Sequence, residues 1–333
     1  MSKNRHQRCD PHERAETTAA SVSRRGNLPI FTAFLPRLLP AAAAVVLSWT
    51  AMIYFSPLSS GQDAEPQPAA GELEKSEQAA TLLVESMLDY LAYGPALEAK
   101  LRVRAWGAET EVVEVGRYLQ SGQGKGWMRM ELEVPIADGK GRWQQTCDGR
   151  LVWTREELAG DIRVRRVDVG RLRELLDANG ASRSGGASRV PPWFRVGGLA
   201  EILDRIRAEF RLTLGKGRIE QQPMLVIKGT VREDVASELA ETHGGQFPAV
   251  LPRHIVIAVP VSSVEAPLPA RIEYWTHAGG RLISLLEVYD STLIESPPLD
   301  HFRFETGGGD FTNETDAYLA RFGFVLAAKP GEG

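Results

Sequence analysis

The sequence predicts an α+β fold in which one curved antiparallel sheet of about ten or eleven strands, a half-barrel, has its apolar side capped by a helical lid and is preceded by one N-terminal transmembrane helix. Three observations carry this. Between Leu97 and Trp153, consecutive segments alternate apolar and polar residues with a period of two, the pattern of antiparallel strands with one wet face. Amphipathic helical stretches interrupt the strands and cannot all pack on one another, so they need the sheet as a partner. Near the N-terminus, Leu38 to Phe55 is an uncharged run of eighteen residues, close to the ~20 that a bilayer core requires.

Residues 1–27 form a polar leader without apolar periodicity, holding Lys3, Arg5, Arg8, Arg14, Arg24 and Arg25. Residues 28–55 carry the signal anchor or transmembrane segment, with Trp49 and Tyr54 near its outer end, where amphipathic rings favour the interface. Basic residues precede the apolar run, while Asp63, Glu65, Glu72 and Glu74 follow it. The positive-inside rule then puts the N-terminus in the cytoplasm and the remainder across the inner membrane, in the periplasm. The run exceeds the ~7 to 15 residues of a cleaved signal peptide. Ser59 and Gly61 nevertheless suit a cleavage site, and a cleaved signal releasing a soluble periplasmic domain stays open as the alternative. Residues 56–71, rich in Pro, Ser, Gly and Ala, read as a linker. A single domain over 72–326 and a tail of 327–333 complete the chain, with a split near 181–192 as the alternative.

In the domain, Ala80, Leu83, Val84, Met87, Leu88 and Leu91 recur at the spacing of one buried helical stripe, ended by Gly94-Pro95. Strands follow. Leu101, Val103 and Ala105 share one face; Val113, Val115 and Leu119 fall together in the next strand; Met128, Met130, Leu132 and Val134 oppose Arg129, Glu131 and Glu133 in the third. The glycines at 122, 124 and 126 join two strands rather than a strand and a helix, so they mark a hairpin and not a phosphate loop. Another hairpin turns at Asp148-Gly149, and Ile162 to Val167 is a strand with arginines on its wet face. Asp168 is placed to cap a short helix reaching about Ala178. The stretch from Gly198 to Phe210 turns Leu199, Ile202, Leu203 and Ile206 inward and Glu201, Asp204, Arg205 and Arg207 outward. Five longer strands, a short helix over Glu233 to Thr242, a brief strand at Phe302 to Phe304 and a final helix capped by Thr312 or Asn313 finish the domain.

The sequence excludes more chemistry than it offers. A net charge of −4 over 333 residues leaves no basic footprint for nucleic acid. No Gly-x-Ser-x-Gly elbow occurs, and His243, His254, His277 and His301 are scattered without ligand spacing, so neither a catalytic triad nor a metal or cofactor is expected. Glu273 and Glu287 lie on late strands and read as salt-bridged, for instance to Arg271 or Arg281. Cys9 and Cys147 fall on opposite sides of the membrane in this topology and cannot pair, and Cys147 reads as a small apolar core residue. The expectation is a protein that binds rather than catalyses, with a hydrolase of unrecognised constellation as the lesser alternative.

Taken in order, the amphipathic helix, the strands EVVEVGRYLQ and GWMRMELEV, the turn QQTCDGRLVW, and the late strands RIEYW and FRFE before a polar helix resemble the LolA-like superfamily over roughly 75 to 325. That superfamily comprises periplasmic lipoprotein carriers, lipoprotein receptors and related sigma-factor regulators. The resemblance implies an incomplete antiparallel barrel with a helical lid over a hydrophobic cavity. The expected partners are a lipid, a lipoprotein acyl chain or the hydrophobic segment of an envelope protein, besides the inner membrane itself. On the residues of this chain, the faces of Leu101 and Val103 and of Met128, Met130 and Leu132 would line the cavity, roofed by helices carrying Leu83, Met87, Leu199 and Ile202. An anchor departs from the carriers, since a shuttle must leave the membrane. An envelope sensor or scaffold that regulates a membrane partner without a diffusible ligand is therefore the alternative reading.

Overall fold

The structure, a computed structural model, describes residues 70–107, 111–136, 139–178, 189–263, 266–305 and 307–324. The leader, the expected anchor, nearly all of the linker, most of the 181–192 segment and the tail lie outside the described residues. Among the described residues, no helix is long and apolar enough to cross a membrane.

Helix α1 (Ala70–Tyr93) buries one stripe completely: Ala80, Val84, Met87, Leu88 and Leu91 are all at 0% exposure. It stops where Gly94 N donates to Tyr90 O and Pro95 cannot continue the ladder. Strands β1 (Leu97–Trp106), β2 (Glu111–Gln120), β3 (Trp127–Ile136), β4 (Gly139–Asp148), β5 (Leu151–Leu158) and β6 (Asp161–Asp168) then form a meander of hairpins. Gly122 shows why the β2–β3 turn needs glycine: its φ is +59°, and a Cβ there would lie 2.1 Å from Gly94 O. Asp168 caps α2 (Val169–Ala178), accepting the Arg171 amide at 2.9 Å as its position predicts.

A 3-10 turn (Pro192–Arg195) and α3 (Gly198–Glu209) carry the chain across to β7 (Phe210–Ile219). The second meander returns through β8 (Gln222–Val231), α4 (Glu233–Thr242), β9 (His254–Pro260), β10 (Arg271–Trp275) and β11 (Leu282–Leu293). Its last strand pairs antiparallel with β1, so the two meanders meet in mid-sheet. With β12 (Thr312–Asn313) at one end, the result is a single open sheet of twelve strands in the order β12-β6-β5-β4-β3-β2-β1-β11-β10-β9-β8-β7. Its ends, β12 and β7, do not pair, which is consistent with a half-barrel. Both edges are managed. Ser76 of α1 donates to Leu214 O and accepts from Leu214 N, each at 2.9 Å, occupying the free side of β7. At the other edge, β12 runs parallel to β6, followed by α5 (Thr315–Arg321).

Three expectations change. On β2, Val113 and Val115 are 39% and 46% exposed, while Glu114 and Tyr118 point to the inner face at 2% and 0%. Pairing decides this: Gly116 and Tyr118 stand opposite Leu101 and Ala99 on one side and Leu132 and Met130 on the other, and all share the inner face. The strand expected at Phe302 to Phe304 is instead the end of a 3-10 turn (Leu299–Phe302) and a segment without a ladder partner among the described residues. The Arg163 to Arg166 run does not make one wet face. Arg165 pairs with Glu156 at 2.5 Å on the inner side, whereas Arg166 lies over the Trp153 and Phe311 rings on the outer side.

The inner face of the sheet carries the core. Under α1 and α3 a large apolar cluster gathers Leu101, Tyr118, Met130, Leu132, Ile227, Ile257, Ile272 and Leu286. Under α2 and α5 a smaller one holds Met128, Cys147, Val152, Val167, Leu172 and Leu319.

Candidate functional site

The residues read from the sequence as cavity walls converge, and in this conformation they are packed. Leu101, Met87 and Leu199 are at 0% exposure, Leu132 at 2%, Met130 at 4% and Ile202 at 9%, all in the larger cluster, with Leu83 and Val103 half-buried against it. Met128 departs to the smaller cluster beside Cys147. The roof sits directly on the floor: Gly197 (φ +92°) and Gly198 (φ +60°) begin α3, and a Cβ on Gly197 would lie 2.4 Å from Met128 Cε. Their amides are satisfied by Glu201 Oε2 at 2.8 Å and Gln145 Oε1 at 2.7 Å, so the helix start is pinned to β4 as well as to itself.

Space remains at one end of the roof. A crevice of about 40 Å³ lies between α3, α4, Leu251-Pro252 and Tyr274, lined by Ile202, Ile206, Phe210, Val235 and Leu239, with Arg205 and Glu209 at its rim. Its apolar lining and its volume suit a methyl group or two, not a whole acyl chain. The element over it is loosely held. Helix α4 has no buried residue; Val235, Ala236, Leu239 and Ala240 are only half-buried. Few buried contacts mark the kind of segment that opens locally at low cost. Burial raises the Glu209 carboxyl pKa, opposed by Arg205 and Arg321, and burial likewise raises the Tyr274 phenol. Of this crevice only Ile202 was read as a wall from sequence. The i, i+4 pair Val235 and Leu239 was its local signal; the contributions of Leu251, Pro252 and Tyr274 depend on contacts between distant strands.

Beside the crevice, where Arg205 pairs with Glu201 at 3.5 Å, α3 is clamped by charge. Its polar side, expected in water, is covered: Glu201 is 1% exposed and Asp204 5%. Glu201 Oε1 accepts from Tyr318 Oη at 2.8 Å and Arg321 Nη1 at 3.0 Å. Asp204 accepts from Arg195 at 3.1 Å, Arg207 at 2.9 Å and Arg321 Nη2 at 3.1 Å, and Arg207 reaches Glu85 of α1 at 3.3 Å. The covering element is α5, which sequence periodicity cannot place against α3. Burial, above all, and the Glu201 carboxylate push the Tyr318 phenol well above its ordinary value. Burying these charges is tolerable because each carboxylate has several donors.

Other candidates take structural roles. Burial pushes the Cys147 thiol up to about 12, far from a nucleophile's range. Glu273, 1% exposed with its pKa raised by burial, pairs with Arg271 at 2.6 Å and accepts from Trp275 Nε1 at 2.9 Å; Glu287 pairs with Arg102 at 3.4 Å. Glu114 is different. It sits opposite Val103 on the inner face, its Oε2 has no hydrogen-bond partner among the described residues, and burial pushes its carboxyl up to about 7.

Fold and crevice define the class: an open antiparallel sheet wrapped on an apolar core, with helices for a roof and a narrow apolar gap under one of them. No family model matches the chain, and no curated protein is similar to it in sequence. Similar solved structures include MucB, at 11% identity and a TM-score of 0.36, with 69% of this chain and 64% of that one covered. A DUF1329 family protein from Desulfovibrio piger matches at 11% identity and a TM-score of 0.34, covering 68% of this chain and 97% of its own. A LolA superfamily protein from Nitrosomonas europaea matches at 12% identity and a TM-score of 0.27, covering 68% and 98%. The chain thus spans under two thirds of the length of MucB.

Proposed function

We propose that the chain is a non-enzymatic, membrane-anchored periplasmic binding protein whose half-barrel takes up a lipid, a lipoprotein acyl chain or an apolar peptide segment. The observation that carries this is the apolar crevice under α4, which reaches Ile202, Ile206 and Tyr274 of the core through a lid without a buried residue. Swinging α4 away would extend the crevice between α3 and the β8–β10 part of the sheet, and the gain in buried apolar surface with a chain in place would offset the opening. The test is native mass spectrometry of the purified full chain: a co-purifying lipid or acylated peptide supports the proposal, and a ligand-free protein that also takes up no added lipid refutes it.

A second reading is favoured by the packed state of the roof. Leu199 and Leu203 are fully buried against the sheet, and a core that stays shut suits an envelope sensor or scaffold acting through its outer surfaces. Capture of a membrane partner by ligand-free protein distinguishes it.

A further inference from the structure

A groove lies on the other side of the sheet from the roof. It has a volume of about 410 Å³ and runs between β3, β4, β5 and the segment that follows the 3-10 turn at Leu299. Its wall is held by aromatic anchors. Phe302, 1% exposed, packs on Trp127 with ring centroids 5.8 Å apart, and Phe304 stacks on Trp153 at 5.2 Å and 12°. Arg129 Nη1 adds a hydrogen bond of 3.2 Å to His301 O. The groove is therefore a built feature, in the size range of small-molecule sites.

Its chemistry is polar on almost every side. Arg129, Arg142, Arg155 and Arg303 supply guanidinium groups from three strands and the wall. Arg129 and Arg142 share Glu131 at 2.6 and 3.0 Å, Arg155 pairs with Glu157 at 3.0 Å and Arg303 with Asp300 at 3.0 Å. Each guanidinium has five N–H donors, so these pairs leave donors to spare. Gln144 lies buried on the floor, directly across from Arg155 in the β4–β5 register. Acceptors are present too: among the described residues nothing pairs with the exposed Glu305 carboxylate.

This composition selects a ligand class. No aliphatic side chain lines the groove, which rules out an acyl chain as occupant. Four guanidiniums favour one carboxylate or phosphate, for which their planar forks are shaped. Three carboxylates, on Glu157, Asp300 and Glu305, would repel a dense polyanion but accept hydrogen bonds from hydroxyls. The Trp153 stack occupies one face of Phe304, leaving the rest of that ring for an apolar patch of C–H groups. We infer that this outer groove binds an acidic sugar, a ring of hydroxyls bearing a single carboxylate or phosphate. The site is independent of the apolar crevice and of the reading built on it.

Isothermal titration of the full chain with glucuronate, glucose 6-phosphate, glucose and inorganic phosphate tests this. The expected result is saturable binding of glucuronate or glucose 6-phosphate at least about tenfold tighter than either glucose or phosphate, weakened about tenfold or more by Arg155→Gln with the melting temperature kept. Arg142→Gln is the second variant should the first fail to fold, and Arg218→Gln, exposed on β7, is the control. An oligosaccharide ending in glucuronate separates two sources: tighter binding than the monosaccharide identifies a glycan terminus, equal binding a free sugar. Phosphate binding as tight as the sugars, no binding of either acidic sugar, or full affinity in both variants overturns the inference.

Discussion

Tyr318 Oη donates a 2.8 Å hydrogen bond to Glu201 Oε1, tying the last helix to a carboxylate of the roof that is only 1% exposed. One link further, Arg321 reaches Glu201 and Asp204 with separate guanidinium nitrogens, at 3.0 and 3.1 Å. The short C-terminal helix therefore functions as a clamp on α3.

Breaking the clamp leaves buried charge with fewer donors, since Glu201 keeps Tyr318 and Asp204 keeps Arg195 and Arg207. Arg321→Met should cost about 3 kcal/mol, the low end of the range for removing one side of a buried ion pair. Tyr318→Phe removes one hydrogen bond to a charged group and should cost roughly 1.5 to 3 kcal/mol. Urea unfolding of the two variants checks both; an Arg321→Met loss below that of Tyr318→Phe would show that the network is not the clamp.

Glu114 predicts a pH dependence. Its folded pKa, about 7, lies above the ordinary 4.5, so the folded protein holds a proton that the unfolded chain releases. Stability from this group is thus full below about pH 4.5, falls as pH rises, and levels off above about pH 7. The whole effect is on the order of 3 kcal/mol at 1.36 kcal/mol per pKa unit. Glu114→Gln removes it. The stability of the variant relative to the wild type should therefore rise between pH 5 and pH 8, measured by urea titration at each; a constant difference would place the carboxyl in contact with water or a donor.

Cys147 should be silent. With its thiol buried and pushed up to about 12, it should resist alkylation in the folded protein and react on unfolding. Mass spectrometry after iodoacetamide treatment reads this directly. Cys147→Ser should fold and cost at most about 1 to 2 kcal/mol.

Much of the sheet was legible because its signal is local. The stripe Ala80, Val84, Met87, Leu88 and Leu91, the alternation of Met128, Met130 and Leu132, and the Asp168 cap each follow from neighbours in sequence. What escaped depends on pairing. In β2 apolar residues fall on both faces, and only the register against Leu101 and Met130 decides that Glu114 goes in and Val115 out. Glu201 and Asp204 look like a wet helix face until α5 arrives from more than a hundred residues away. Phe302 and Phe304 read as strand because they alternate, yet they plug Trp127 and Trp153 on the outer face. The crevice was legible only at Ile202.

The anchor proposed for 28–55 predicts topology. Reporter fusions at Gly71 and Gly333 should both be active only outside the cytoplasm, as the basic N-terminal flank requires. Activity of either inside would reverse the orientation, and a mature N-terminus near Gln62 would replace the anchor by a cleaved signal.

The uptake of an apolar chain beneath α4 is tested most directly by titrating the full chain with a fluorescent C16 fatty acid, wild type against Val235→Trp. Val235 is half-buried on the crevice side of the lid, so the larger ring fills the gap without entering the closed core. The predicted result is saturable binding by the wild type, weakened at least about tenfold, or 1.4 kcal/mol, in Val235→Trp while both melt cooperatively. Absence of binding by the wild type, or equal affinity in the two proteins, would contradict it.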